Sequence, residues 1–582
     1  MSRPPRATSL VAPLTALLYA PALAVLLLYA WAFLEQGAAV VAFPYQIDYG
    51  EMPELNRAAL IAQGRPIYVD WSGPPYQMAN YTPLYSLAAA PGVALWGPQL
   101  HSGRLLSLAS TVATSLAVGA TAWALTRRRR AGLVAALLYL AGYPVWNWGA
   151  LQRVDAFAVA LEWVAIALFA VAWAVPLRPA WALWATAPLL LGAVYARQTV
   201  VAGAFAVFGT ALVLRPRLGL AALAAYAGAG LALFAILERV TGGQFRRHIV
   251  DGNLNDWAWA RVDFYWQPFW ALLHWAVPLG AVALVLGLAT RRSQLPLLYA
   301  LGAAATALTI GKIGSNVNYL LPLWAALSLL GGLAAGYAAG LPRWPGALTG
   351  AMVAGWLLVG LQQAYHVPYE PPGPPAEAPP GAGRGAGGGA GSAPHETRLR
   401  LSEWCDADPA GESSRLAGRG VPAAVLDAVR FPQLPLWRLD PWGAPPALLL
   451  ARARERYAPL PTAAAAVDAA RAAAHLDASA GSGDLLGEEM SFTVTSGRRI
   501  YLQPFEFSQL ALQGVWDQGP LLADVRRGHF RAVVLRFRLE EDPSWRGERI
   551  NPALLGALRE HYELDAEFGD YFIYRYRVPP HP

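Results

Sequence analysis

Apolar runs of about twenty residues recur through the first two-thirds of the chain, a length that matches the hydrocarbon thickness of a bilayer. Inside lipid the backbone must satisfy its own N–H and C=O groups, so such runs form membrane-crossing helices. Charge supports this, since only 14% of the residues are charged against about 25% in ordinary soluble domains. The runs fall at 10–33, 104–126, 131–147, 156–174, 179–195, 198–214, 218–238, 269–289, 295–310, 319–339 and 345–363. The N-terminal run is too long for a signal-peptide core and has no small-residue cleavage site, so it is expected to remain as the first span.

Orientation follows from the arginines. If the Pro/Gly-broken segment 83–97 lies along the interface, Arg127 to Arg130, Arg178, Arg215, Arg217, Arg291, Arg292 and Arg343 all fall on one side. The positive-inside bias then makes that side cytoplasmic. The expectation is a polytopic α-helical membrane protein of the cell membrane. It has eleven crossings, a cytoplasmic N-terminus and a C-terminal extracytoplasmic α/β domain. The net charge of +7 is a topology signal and not the footprint of a nucleic-acid binder. One cysteine, Cys405, excludes an intrachain disulfide and a multi-cysteine metal site. The excess of Ala, Gly, Pro and Arg is the composition of a GC-rich bacterial genome.

Three domains are expected: a membrane region, 1–366, a Pro/Gly/Ala-rich linker, 367–396, and an outer region, 397–582, α/β from about residue 462. In the outer region helices are expected at 462–475, 507–513, 521–527 and 550–562, with strands at 491–495, 499–502, 530–537 and 571–576. Glu488, Glu489, Trp516 and Asp517 read there as solvated loop and helix ends.

The residues with chemical potential gather in the loops expected outside. The first, from Phe43 to Tyr85, carries Asp48 and Glu51 just before a short helix that Pro53 opens and Gly64 closes. Leu55, Ala59 and Ala62 share a face, which suits a helix lying on the membrane surface. The two acids suit a general base, a site for a divalent cation such as Mg or Mn, or simple capping of that helix; spacing does not choose. His101 with Arg104 reads as an interfacial pair. The run His248, Asp251, Asn253, Asn255 and Asp256 has no recognised ligand spacing.

Four motifs follow in order on that face: the acid pair with Gly64-Arg-Pro-Ile-Tyr68 and Asn80-Tyr-Thr-Pro-Leu-Tyr85, then Leu151-Gln-Arg-Val-Asp155, Tyr195-Ala-Arg-Gln-Thr199 and Gly311-Lys-Ile-Gly-Ser-Asn-Val-Asn-Tyr319. Over about residues 10–365 the chain resembles membrane glycosyltransferases of the GT-C superfamily. It is most similar to the bacterial group with the RgtA/B/C/D-like domain, related to protein O-mannosyltransferases and the lipid A aminoarabinose transferase. The resemblance implies transfer of a sugar from a polyprenyl-phosphate carrier to a glycan, lipid or protein hydroxyl outside the membrane. It implies Asp48 as general base, with Glu51 second, because the spacing Asp-Tyr-Gly-Glu departs from the adjacent Asp-Glu of the O-mannosyltransferases. Arg153, Arg197 and Lys312, the only lysine, become candidates for the donor phosphate. Asp155 would orient Arg153 or help hold a metal. Asn316, Asn318 and Tyr319 would meet sugar hydroxyls or satisfy loop backbone. Tyr81 and Tyr85 would stack on the sugar or belong to the interface belt. Two other classes stand beside this one: a transporter or flippase of an amphipathic lipid, and a non-catalytic envelope scaffold. An acid at mid-membrane would favour transport.

Overall fold

The structure, a computed structural model, describes residues 11–173, 179–289, 294–341, 343–366, 463–541 and 549–577. The expected linker, the first part of the outer region and Cys405 lie outside the described residues.

The membrane region is a helical bundle. Its helices are α1 (Val11–Ala42), α2 (Glu51–Ala62), α3 (Leu84–Trp96), α4 (Leu100–Thr126), α5 (Arg129–Leu140), α6 (Tyr143–Trp148), α7 (Val154–Trp173) and α8 (Ala180–Ala196). They continue with α9 (Ala202–Leu214), α10 (Pro216–Val240), α11 (Gln244–Ile249), α12 (Trp259–Leu273), α13 (Ala276–Ala289), α14 (Gln294–Ala307), α15 (Leu321–Ala338) and α16 (Arg343–His366). Among the described residues six helices are long and apolar enough to cross a membrane, and the α12–α13 pair, bent by 76°, makes a seventh if it counts as one span. Four shorter apolar helices complete the set, including α8, α9 and α3. The apolar run 131–147 divides at Gly142 into α5 and α6. The indole of Trp324 occupies the space a Cβ at Gly142 would fill, so the chain breaks where α15 presses in.

The central helix is α15, almost wholly buried, while α10 is almost wholly exposed on the outside of the bundle. Small residues set the closest approaches: a Cβ on Gly119 would meet the Gly132 carbonyl oxygen at 2.8 Å, and one on Gly332 the Ala131 carbonyl oxygen at 2.5 Å. Backbones that touch in this way gain packing that lipid cannot supply.

One carboxylate, Glu162, lies buried within α7. It accepts hydrogen bonds from the Gly203 N–H (2.6 Å) and the Tyr299 hydroxyl (2.9 Å). Gly203 is in the first turn of α9, so Glu162 satisfies a donor at that helix N-terminus.

Beyond the bundle sits a four-stranded sheet, order β1-β2-β4-β3, from β1 (Leu485–Gly487), β2 (Ala532–Leu535), β3 (Tyr562–Phe568) and β4 (Tyr571–Tyr576). β1 and β2 pair in parallel and the remaining pairs are antiparallel. Helices Ala463–Ala480, Pro504–Leu512, Gly519–Arg526 and Pro552–His561 pack around it. The chain is thus a polytopic helical membrane protein with a C-terminal α/β domain. The expected strand 491–495 is instead a short helix, Ser491–Val494, and 499–502 pairs only through Leu502, which bridges Tyr76.

That bridge belongs to an extensive seam. Trp71, Tyr76 and Met78 of the first loop share a core with Tyr501, Phe507, Trp516 and Val533. Tyr76 N–H donates to the Tyr501 carbonyl (2.7 Å), and Gln503 N–H donates to the Tyr76 carbonyl (3.0 Å). Helix α2 therefore does not rest openly on the membrane: Met52, Leu55 and Ala58 pack between Val93 and Leu100 below and Met490, Val494 and Ile500 above. The solvated reading of Glu488, Glu489 and Trp516 also fails. All three are buried, because the docked loop covers this face of the domain.

Candidate functional site

The Asp-Tyr-Gly-Glu turn lies against the Gln-Arg-Val-Asp segment. Arg153 Nη1 is 3.1 Å from Asp48 Oδ1, with side chains 12% and 20% exposed, and Gln152 N–H donates to Glu51 Oε1 (3.0 Å). Gly50 makes the first contact possible: a Cβ there would sit 0.9 Å from Arg153 Nη1. Asp48 Oδ1 also accepts from Gly50 N–H at 2.9 Å, a tight Asx turn that aims the carboxylate.

The two acids have different environments. Glu51 is fully buried and gripped by Arg104, whose Nε and Nη2 reach its two oxygens at 2.8 and 2.7 Å. Ile47 N–H and Asp48 N–H add bonds at 2.9 and 3.2 Å. Burial pushes the Glu51 carboxyl up, but Arg104 and these donors more than offset it and hold the group below the usual carboxylate range. With its lone pairs filled, Glu51 cannot serve as base; it locks the loop. For Asp48 burial dominates and pushes its carboxyl up, against the pull of Arg153 and Arg549. A carboxylate raised toward neutrality and partly open is better suited to accept a proton.

Arg104 is not an interfacial residue paired with His101. It is wholly buried, and beyond Glu51 it donates to the carbonyls of Val40 (2.9 Å), Phe43 and Tyr45 (2.8 Å). His101 instead packs at a tilt against Trp96, ring centroids 5.6 Å apart.

The second group of candidates assembles around Asp155. Arg197 Nη1 pairs with Asp155 Oδ1, which also accepts from Asn318 Nδ2 (3.0 Å). Trp148 Nε1–H donates to Asp155 Oδ2 at 2.7 Å. Asp155 therefore orients Arg197 and not Arg153, and Asn318 steadies Asp155. The Arg197 guanidinium lies 4.2 Å from the Tyr319 ring centroid. Its Nε and Nη2 are buried without a hydrogen-bond partner. Two orphaned donors on a buried cation are costly unless an acceptor fills the space before them. Lys312 stands beside Arg197 and Tyr319, and burial pushes its ammonium pKa down.

Tyr81 links the two groups. Its hydroxyl accepts from Arg153 Nη2 at 3.5 Å and lies within electrostatic reach of Asp155, Arg197 and Tyr319. Tyr85 does not join them. It is buried against α4, its hydroxyl donating to the Gly103 carbonyl at 3.4 Å. Asn316 caps its own turn by accepting from Val317 N–H (2.7 Å).

The acids suit a metal poorly. Asp48, Glu51, Glu54 and Asp155 are each paired with an arginine: Arg153, Arg104, Arg57 and Arg197. A divalent ion would have to displace a guanidinium at every ligand. Among the described residues no group of three His, Cys, Asp or Glu side chains is placed to hold one. In the polar run, His248 Nδ1 accepts from Ala79 N–H (2.9 Å) and its Nε2 lies 2.7 Å from the Val69 carbonyl. Asn253 Nδ2–H donates to the carbonyls of Asn80 and Ile249, both at 3.0 Å. These bonds fasten the first loop to the segment after α10.

No family model matches the chain, and no curated protein sequence matches it. Solved structures are similar to it over nearly its whole length. ArnT from Cupriavidus metallidurans in the apo state is 13% identical, with a TM-score of 0.49, covering 94% of this chain and 97% of that one. The same protein bound to undecaprenyl phosphate has a TM-score of 0.46 over the same coverage. The oligosaccharyltransferase AglB from Archaeoglobus fulgidus, in complex with an inhibitory peptide and a dolichol-phosphate, is 11% identical with a TM-score of 0.37. The match covers 97% of this chain and 75% of AglB.

Proposed function

We propose that this chain is a membrane glycosyltransferase of GT-C type that moves a sugar from a polyprenyl-phosphate carrier to an acceptor hydroxyl. The observation that carries the reading is the pairing of an aimed, partly open carboxylate with a cationic end of the bundle that has donors to spare. Asp48 and Arg153 form one wall; Arg197, with two orphaned donors, and Lys312 form the other. A phosphate oxygen is the acceptor those donors lack, and a guanidinium presents them as a planar fork.

In this reading Asp48 takes the proton from the acceptor hydroxyl as its oxygen bonds to the anomeric carbon. The bond from that carbon to the phosphate oxygen breaks, and its electron pair stays on the phosphate. Arg197 and Lys312 meet the charge that develops there, with Arg153 between base and phosphate. Removing one such contact in a dry site costs roughly 100-fold in rate or more. The arginine run 127–130 lies at the other end of α4 from Arg104, about 35 Å away at 1.5 Å per residue. With that run cytoplasmic, the site and the C-terminal domain face outward.

The deciding experiment is sugar transfer in proteoliposomes from a panel of polyprenyl-phosphate sugars. Transfer is expected from at least one carrier, with Asp48→Asn at least about 100-fold slower. Parental turnover by Asp48→Asn removes Asp48 from the mechanism. Carrier movement across the bilayer without sugar transfer would favour a flippase instead.

A further inference from the structure

The C-terminal domain does more than cover the loop. Tyr49, between Asp48 and Gly50, points its hydroxyl into that domain, where it donates to Glu506 Oε2 (3.0 Å) and accepts from Phe505 N–H (3.1 Å). The guanidinium of Arg549 lies 5.0 Å from the Tyr49 ring centroid. Arg549 is itself anchored: Nη1 is 3.0 Å from Glu488 Oε2, and Glu488 is only 1% exposed. Glu488 Oε1 is held in turn by Arg536 N–H at 2.9 Å. The clamp therefore runs from Arg536, just after β2, through Glu488 and Arg549 to the turn that carries Asp48.

From this geometry we infer that Arg549 is a positioning residue for Asp48, so that the C-terminal domain completes the site from outside the bundle. The inference rests on the reading of Asp48 as the base. Asp48 is faced by Arg153 from the segment before α7, by Glu51 on α2 and by Arg549 from the C-terminal domain. Arg549 in turn faces Glu488, Tyr49 and Asp48. Glu51 is neutralised by Arg104, which leaves Arg153 and Arg549 as the two cations that steady the Asp48 charge. One of them belongs to the bundle and one to the C-terminal domain, so docking of the domain sets both where the carboxylate points and how readily it takes a proton.

The test uses the full-length chain in proteoliposomes and reads kcat/KM for transfer against pH. Transfer rises with pH as the base ionises. Taking a cation from Asp48 weakens its ionised form and moves that acidic limb upward. Arg549→Gln is expected to shift the limb by about half a pH unit or more, and Arg549→Lys to recover most of the shift. A limb that stays at the parental pH in Arg549→Gln, while Asp48→Asn is inactive, overturns the positioning role and leaves the base assignment standing. Full activity in Asp48→Asn overturns both. Should Arg549→Gln fail to accumulate, Glu488→Gln decides in its place: an unanchored Arg549 moves the limb the same way, and an unmoved limb overturns the inference.

Discussion

Arg104 holds Glu51 through two parallel hydrogen bonds in full burial, and the same guanidinium gathers three carbonyls from the end of α1 and the start of the first loop. The pair ties α4 to the turn that presents Asp48, and through the Gln152 N–H to the segment that presents Arg153. A buried charge that loses its partner typically costs 3–5 kcal/mol. Arg104→Met is therefore expected to lower the melting temperature in detergent sharply, and Glu51→Gln to do the same less severely. An unchanged melting temperature in Arg104→Met would contradict the keystone role.

The pH dependence of that lock has a definite sign. Folded Glu51 has its carboxyl below the usual range, so its stabilisation is present above the unfolded carboxylate pKa of about 4.3. It is lost as pH falls through the lower folded value. His248 adds a second window. Burial lowers its folded pKa to about 4, below the ordinary imidazole near 6.5, because Nδ1 must stay free to accept from Ala79 N–H. Its contribution is complete above about pH 6.5 and declines between there and about 4. Melting temperature followed over pH 7 to 4 should fall less steeply in His248→Asn than in the parent. Parallel curves would show that His248 does not titrate with unfolding.

Gly50 offers a test that separates geometry from charge. Its φ of −76° is open to any residue, so Gly50→Ala strains no backbone and acts only by pushing Arg153 off Asp48. Transfer is expected to fall of the order of 100-fold. Adding Arg153→Ala to Gly50→Ala should then cost little more, since the contact is already gone. Additive losses would mean that Gly50 acts elsewhere.

Much of the membrane region was legible because hydropathy reports length and burial directly. The Asp48–Arg153 contact was within reach too: an arginine on the side expected to be outside runs against the topology bias and asks for a partner. What sequence could not supply was the role of Arg104. It lies in an ordinary apolar helix start, and only the fold shows that α1, α2 and the segment before α7 converge on it. The C-terminal domain misled for a related reason. Short apolar stretches such as Ser491–Val494 look alike as strand or helix until their partners are known, and their partners lie some 400 residues away, on α2 and the first loop. Arg549 carried no signal of its own, because its role depends on docking between two distant parts of the chain.

The pairing of every candidate acid with an arginine bears on metal dependence. A cation bound by Asp48 or Asp155 would have to break ion pairs that are already largely desolvated, and a guanidinium in place does the same electrostatic work. Transfer is expected to continue undiminished after exhaustive chelation and to gain nothing from added Mg or Mn. A loss restored by one of these ions would require the Asp48–Arg153 or Asp155–Arg197 pair to open during turnover.

The phosphate side of the proposal is separable from the base side. Among the described residues no carboxylate pairs with Lys312, and Arg197 spends only Nη1 on Asp155, so together they present an excess of positive charge, with two free donors on Arg197. If that excess meets the carrier phosphate in the ground state and the leaving phosphate in the transition state, Lys312→Gln should raise KM for the donor and lower kcat, with kcat/KM down of the order of 100-fold. Lys312→Arg should keep the charge and recover part of the loss. Arg197→Lys should recover less, because an ammonium can hold Asp155 but lacks the planar fork that leaves two further donors. The acidic limb of the pH profile should stay in place in all three, since none of these cations faces Asp48. A limb that moved with Lys312→Gln would place the phosphate and the base in one coupled cluster. A donor KM untouched in Lys312→Gln and Arg197→Lys alike would leave the orphaned donors without the ligand assigned to them.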